Sequence, residues 1–336
     1  MSDSPSEAAV AAEPVEPDAL LLRIMIDPAS IPDPHPLYRA LREAAPVFRT
    51  EMTGTWIVSG FENARALLRD PRCGSPMDDD SNVRTAIDGS PRRARNPDYR
   101  TMLFMNPPDH TRIRGLVSRA FTPRRVERLR PEVAAMTDAL LDSMTGPDGV
   151  VEGDLVEGLA FPLPANVISA LVGVPEADRD WLRPLIARMA ASIEPTATEE
   201  ALDGAEAAMV EARGYLEQLI EQRRAEPCDD LLSGLIQASD GEDRLTETEV
   251  ISNVLLIYAA GFETTTHLLG NMFRQLVAHP GQQDLVRADR SLIPQAVEEV
   301  LRFDPPVQLD GRYVFDDVEI DGVTIPKGAT VLTLLA

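Results

Sequence analysis

Apolar positions recur at helical spacing through most of this chain, and at a spacing of two only towards its two ends. Val47 to Thr50 and Thr55 to Ser59 read as short strands joined through Met52-Thr53-Gly54 as a hairpin. Phe61 to Arg69 has a helical period and stops before Asp70-Pro71. From Arg72 to Pro108 the chain is polar, with Gly, Pro and a triple Asp, and reads as a long loop with room for one short helix. Helices are predicted over Thr111 to Phe121, Pro123 to Met144, Leu163 to Leu171, Asp178 to Ser192, Glu199 to Ala225 and Asp229 to Ala238. The longest begins at Thr246, whose T-x-x-E with Glu249 is a capping box, and runs to His279 before Pro280-Gly281. Such a helix is about 50 Å long. Pro294 to Phe303 follows, and then strands around Val314, Val318, Ile320, Ile325 and Val331 to Leu335, joined by tight turns. The fold class expected is mainly α with a small β-sheet region.

Composition narrows the picture. Two cysteines in 336 residues exclude a disulfide scaffold and a cysteine-rich zinc module. The longest uncharged apolar run, Val254 to Phe262, is too short for a bilayer, and the N-terminus lacks the pattern of a signal peptide. A soluble, cytoplasmic protein without membrane association is expected. Residues 1–19 are acidic and rich in Pro, Ala and Ser, and read as a disordered tail; with no linker in sight, 20–336 reads as a single domain. A net charge of −23 argues against nucleic acid as a partner. Arg84 to Arg130 is the exception, with 12 arginines against four acids, an island of +8 suited to an anionic ligand or an acidic protein.

Four constellations carry candidate chemistry. In the middle of the long helix, Ala259-Ala260-Gly261-Phe262-Glu263-Thr264-Thr265-Thr266 places poor helix formers where propensity should be strongest. Threonine bonds to carbonyls four residues back loosen a helix, and an acid beside an alcohol is able to relay protons. A purely structural Thr264 bonded to Ala260, with Glu263 satisfied by a distant arginine, is the plainer alternative. His110 and Arg114 in Asp109-His-Thr-Arg-Ile-Arg114 share a helix face and suit a carboxylate ligand, or else form part of a solvated basic face. Glu299 and Arg302 are spaced to pair within one helix, and Arg312 in Gly311-Arg-Tyr313 enters the late β region. No zinc site, phosphate-binding glycine loop or nucleophile elbow is present in the sequence.

Taken in order, these motifs resemble the cytochrome P-450 superfamily of haem-thiolate monooxygenases, in its soluble bacterial branch, from about residue 30 to the last residue. Pro107-Pro-Asp-His-Thr-Arg-Ile-Arg114 is similar to the family's propionate-binding helix, and Ala260-Gly-Phe-Glu-Thr-Thr265 to its oxygen-activating motif. Glu299-Val-Leu-Arg302 matches its E-x-x-R, and Asp310-Gly-Arg312 resembles the strand whose arginine binds a propionate. The resemblance implies haem b, with dioxygen as co-substrate, a small apolar organic substrate and a ferredoxin-type electron donor. It implies that Glu263 and Thr264 deliver protons during oxygen activation. Ala260 and Gly261 would lie at the cofactor, His110, Arg114 and Arg312 would hold its propionates, and Glu299 and Arg302 would form a buried structural pair. The family's axial cysteine stands in a Phe-Gly-x-Gly-x-x-x-Cys-x-Gly loop that these residues do not contain. The expectation is therefore a P-450-like fold lacking its C-terminal haem loop and the following helix, truncated and inactive as it stands. The alternative is a non-catalytic remnant or an apolar-ligand-binding protein.

Overall fold

The computed structural model describes residues 16–75, 83–85, 91–93, 101–190, 197–238 and 244–335. In chain order they form α1 (Pro17–Ile26), α2 (His35–Ala44), β1 (Val47–Arg49), β2 (Trp56–Val58), α3 (Phe61–Arg69), β3 (Cys73–Gly74), β4 (Val83–Thr85) and β5 (Pro91–Arg93). Then come α4 (Asp109–Ala120), α5 (Pro123–Arg128), α6 (Arg130–Ser143), α7 (Pro162–Val172), α8 (Glu176–Ala190), α9 (Glu199–Ala225) and α10 (Leu231–Gln237). The last elements are α11 (Glu247–Ala278), α12 (Pro280–Ala288), α13 (Ile293–Phe303), β6 (Leu309–Val314), β7 (Val318–Ile320), β8 (Val323–Ile325) and β9 (Thr330–Leu334). The mainly α class with a small β region is what the structure has. Contacts divide the chain into two compact units, one holding both ends (residues 1–73 and 309–336) and one holding 74–308, where the sequence pattern showed no division after residue 20.

In the first unit the strands form a sheet of order β1-β2-β9-β6-β3. The expected hairpin pairs Phe48 with Ile57, and β2 then runs parallel to β9, with Ile57 opposite Leu332. β9 also pairs antiparallel with β6, Gly311 facing Leu332. This central position explains why Val331 to Leu335 is apolar at every position but Thr333, because a strand covered on both faces loses the alternation of a half-exposed one. Val331 packs with Val47, Val58, Val314, Val318 and Ile325 on one side. Leu334 packs with Leu20, Leu37, Tyr38, Leu41 and Ile57 from α1, α2 and β2 on the other. β7 and β8 close through Asp321-Gly322, with φ of 54° and 75°, the left-handed pair that a two-residue hairpin turn requires. Residues 17–19 belong to α1, so the tail expected over 1–19 is helical at its end; residues 1–15 lie outside the described residues.

The second unit is helical. Its core gathers Ile113, Leu116, Leu171, Val172, Leu182, Ile186, Leu216, Leu219, Leu232, Val254 and Tyr258. The first half of α11 is buried almost all round, from Val250 to Phe262, and the capping box at Thr246 and Glu249 is fully formed. Phe262 meets Phe161 edge-on at 4.8 Å. Three sequence expectations need correction. The helix expected over Pro123 to Met144 breaks at Leu129, because Pro131, having no N–H, opens a new helix. Pro280-Gly281 does not end helical structure but starts α12, since proline at the first turn occupies a position whose N–H has no helical partner. α1 and α2 lie where no element was expected. Much of the 72–108 stretch, and residues 191–196, lie outside the described residues.

Candidate functional site

Two elements of the second unit carry most of the residues singled out by sequence. On α11, Thr264 Oγ1 donates to the Ala260 carbonyl at 2.5 Å, and Thr266 Oγ1 donates to that of Phe262 at 2.9 Å. Two threonine back-bonds, from positions two residues apart, compete with the helix ladder at the turn where Gly261 already weakens it. Ala260 and Thr265 are exposed and Glu263 and Thr264 half-buried, at the turn where α11 passes from its enclosed first half to a more accessible second half. Gly261 points elsewhere. A Cβ there would come within 3.1 Å of Ile168 Cδ1, so this glycine serves the close approach of α7 to α11. Of the two small residues expected to lie at a cofactor, Ala260 is the one on the open face.

On α4, His110 is half-buried and Arg114 exposed, one turn apart. The Arg114 guanidinium forms no ion pair among the described residues. Arg112, on the opposite face, went unnoticed in the sequence although it ties the two elements together. It donates to the Arg244 carbonyl at 2.8 Å and pairs with Glu249, the capping-box acid of α11. Asn253, fully buried on α11, adds a second latch: its Oδ1 accepts from the Met102 N–H at 3.0 Å, and its Nδ2 donates to the Glu249 carbonyl at 2.8 Å. A buried asparagine one turn after a capping-box glutamate was the signal available.

Burial alone would raise the Glu249 carboxyl, but the Arg112 guanidinium and the Thr246 N–H outweigh it and hold the group below its ordinary value of 4.5. A lowered folded-state value means that this contribution is complete above the ordinary glutamate range and is lost as pH falls through the folded value. Urea unfolding midpoints are accordingly expected to drop on acidification below about pH 5, and Glu249→Gln to flatten that drop. An unchanged acid limb in the variant would remove the latch from the acid sensitivity.

Glu299 and Arg302 on α13 form the expected pair, a two-pronged contact of 2.7 and 2.8 Å. They are not buried: the side chains are 61 % and 67 % exposed, because no described element packs on that face of α13. The buried acid of this region is Asp304, just after α13, which pairs with Arg274 and accepts from Gln275 Nε2 at 2.9 Å. In the first unit, Arg312 on β6 donates to Asp310 at 2.7 Å and to the Gly311 carbonyl at 2.8 Å, and is 28 % exposed.

Cys73 is half-buried, and burial together with Asp70 pushes its thiol up; Cys228 is exposed, with Sγ 3.7 Å from the Glu226 carbonyl. Among the described residues no group of three His, Cys, Asp or Glu side chains is arranged to hold a metal ion, and no single helix is long and apolar enough to cross a membrane. What the arrangement presents is a loosened helix turn with an acid and an alcohol, and a tethered helix bearing His110 and Arg114 one turn apart.

Comparison with known proteins finds matches in both sequence and structure. The family model for cytochrome P450 matches residues 80–336. The cytochrome P450 monooxygenase PikC of Streptomyces venezuelae is 40 % identical over 310 residues, covering 90 % of this chain and 71 % of its own length. 6-Deoxyerythronolide B hydroxylase of Saccharopolyspora erythraea is 41 % identical over 302 residues, 88 % of this chain and 73 % of that one. Among solved structures, P450BioI in complex with a hexadec-9Z-enoic acid ligated acyl carrier protein superposes with a TM-score of 0.81 at 33 % identity, covering 92 % of this chain and 78 % of that chain.

Proposed function

Since the chain belongs to the cytochrome P450 family, whose oxidoreductase chemistry uses haem b and dioxygen, we propose that it hydroxylates a small apolar organic substrate in the cytoplasm, with electrons from a ferredoxin-type donor. The observation that carries this reading is the loosened turn of α11, where exposed Ala260 and half-buried Thr264 follow the enclosed first half of the helix. The cofactor, when bound, supplies the redox-active iron for oxygen reduction. His110 and Arg114 suit its two carboxylates, as charge-assisted donors one helical turn apart. Arg312 is assigned the same task on the family resemblance, and in its own unit Asp310 orients its guanidinium.

The proton work falls to Glu263 and Thr264. Thr264 Oγ1, parked on the Ala260 carbonyl, needs only a side-chain rotation to offer its proton to the open face, while a half-buried Glu263 resupplies it from solvent. Arg119 and Arg124 are exposed and form no ion pair among the described residues, which supports an acidic electron donor as the partner of the basic segment. Neither Cys73 in Pro71-Arg-Cys-Gly74 nor Cys228 in Pro227-Cys-Asp229 matches the axial-ligand loop whose thiolate favours O–O cleavage, so residues 1–336 by themselves are proposed to be inactive.

One spectrum and one variant test the reading. Residues 1–336 alone, incubated with haemin, reduced and treated with carbon monoxide, should show no thiolate-type Soret band; such a band would overturn the proposed inactivity. In a haem-loaded protein that joins these residues to a ligand cysteine, Thr264→Ala should lower product formed per dioxygen consumed by about a hundredfold, the low end of acid–base contributions. Unchanged coupling would remove Thr264 from the relay.

A further inference from the structure

Away from these residues, α8 and α9 pack side by side and leave a groove of about 430 Å³ lined by Asp178, Trp181, Val210, Glu211, Gly214 and Tyr215. Its apolar surface is unusually open. Trp181 is 43 % exposed and Val210 63 %. Trp181 is nonetheless held in place: its ring lies 5.3 Å from that of Tyr215, tilted by 50°, and the Tyr215 hydroxyl donates to Asp178 Oδ2 at 2.8 Å. The contact fixes the indole and leaves the Asp178 carboxylate on the groove wall.

Gly214 stands one turn after Val210 on the same face of α9. A Cβ at Gly214 would meet nothing within 4 Å, so packing does not require the glycine, and its helix cost is not repaid by any close contact. What its absence of side chain does is keep the groove open between Trp181 and Val210. The lining carries two carboxylates and no cationic side chain; Glu211 meets Arg188 only at 3.8 Å, with both side chains about half exposed.

An aromatic face is negative at its centre, carboxylates add formal charge, and Val210 offers an alkyl contact. We propose that this groove binds an organic cation of the alkylammonium class, at a site distinct from the loosened turn of α11 and independent of the function proposed above. The ammonium sits over Trp181 between Asp178 and Glu211, and its alkyl portion lies along Gly214 and Val210.

The test is a titration of the whole chain with hexyltrimethylammonium, read by tryptophan emission, with hexanol and hexanoate as equal-length controls. The chain has two tryptophans, so a Trp181→Phe variant separates the signal of Trp181 from that of Trp56. A saturable change is expected for the cation, about tenfold weaker binding for hexanol, and none for hexanoate. Gly214→Leu fills the groove while favouring the helix, so it should abolish the response without lowering the melting temperature. The Asp178→Asn, Glu211→Gln double variant should weaken the cation and leave hexanol unchanged. Equal binding of hexanol, or full binding by Gly214→Leu, overturns the proposal. So does a dimer seen by sedimentation that Gly214→Leu dissociates, since a second copy would then be the occupant.

Discussion

Asp230→Ala should destabilise the helical unit by about 3–5 kcal/mol, the usual cost of removing one partner from a buried ion pair. Asp230 and Arg223 are 9 % and 14 % exposed and meet at 2.6 Å. The same carboxylate caps α10 by accepting from the Ser233 N–H at 2.7 Å, and Arg223 also donates to the Gly173 carbonyl at 2.5 Å. One acid thus joins the end of α9, the C-terminus of α7 and the start of α10. Gly173 completes the joint: with φ of 98°, and a Cβ position 2.1 Å from Asp230 Oδ2, no other residue fits there. Losing the acid leaves the Arg223 charge buried with a single carbonyl partner and the α10 N-terminus open. Asp230→Asn keeps a capping oxygen and should cost less. Urea unfolding of Asp230→Ala, Arg223→Met and the double variant measures the coupling; a loss below about 1 kcal/mol in Asp230→Ala would show the joint to be dispensable.

Asp304→Ala is the second large effect, expected at about 2–3 kcal/mol because hydrogen bonds to a charged group are lost and the remaining donors are left unmatched. Asp304 is 5 % exposed, and its partners Asn271, Arg274 and Gln275 come from one turn of α11. Asn271 donates to the Asp304 carbonyl at 2.9 Å, so the backbone contact survives the substitution while both contacts to the carboxylate go. Asn271 lies two turns after Thr264, on the same face of α11. The clamp therefore seats α13 on the stripe that carries the loosened turn. Hydrogen exchange should show protection lost over α13 and the adjoining turns of α11, with the sheet of the other unit unaffected. Uniform loss across the chain would instead mean that α13 unfolds only with everything else.

The residues that carry the candidate site were legible where they are neighbours in sequence. His110 one turn before Arg114 and Glu299 three before Arg302 are spacings a helix converts directly into shared faces, and Glu263 and Thr264 are chain neighbours. The Thr264 back-bond to Ala260 was equally readable, since it needs only the helix itself. Burial was not readable. Glu299 and Arg302 have the right spacing yet stand in solvent, while Asp304, one residue past the helix, is the acid that is enclosed. Gly261 looked like room for a ligand and turned out to be room for Ile168.

The sequence by itself determined what short-range forces decide: the helix periods, the Thr246 capping box, the Asp321-Gly322 turn and the motif order that marks the family. Tertiary structure decided the pairings whose partners are far apart along the chain. β2 lies against β9, Arg112 against Glu249 across 137 residues, and Arg223 against Gly173 across 50. A local pattern states what each segment wants to bury or bond. Which distant segment satisfies it depends on closing long loops, whose entropy is offset only when the whole core forms.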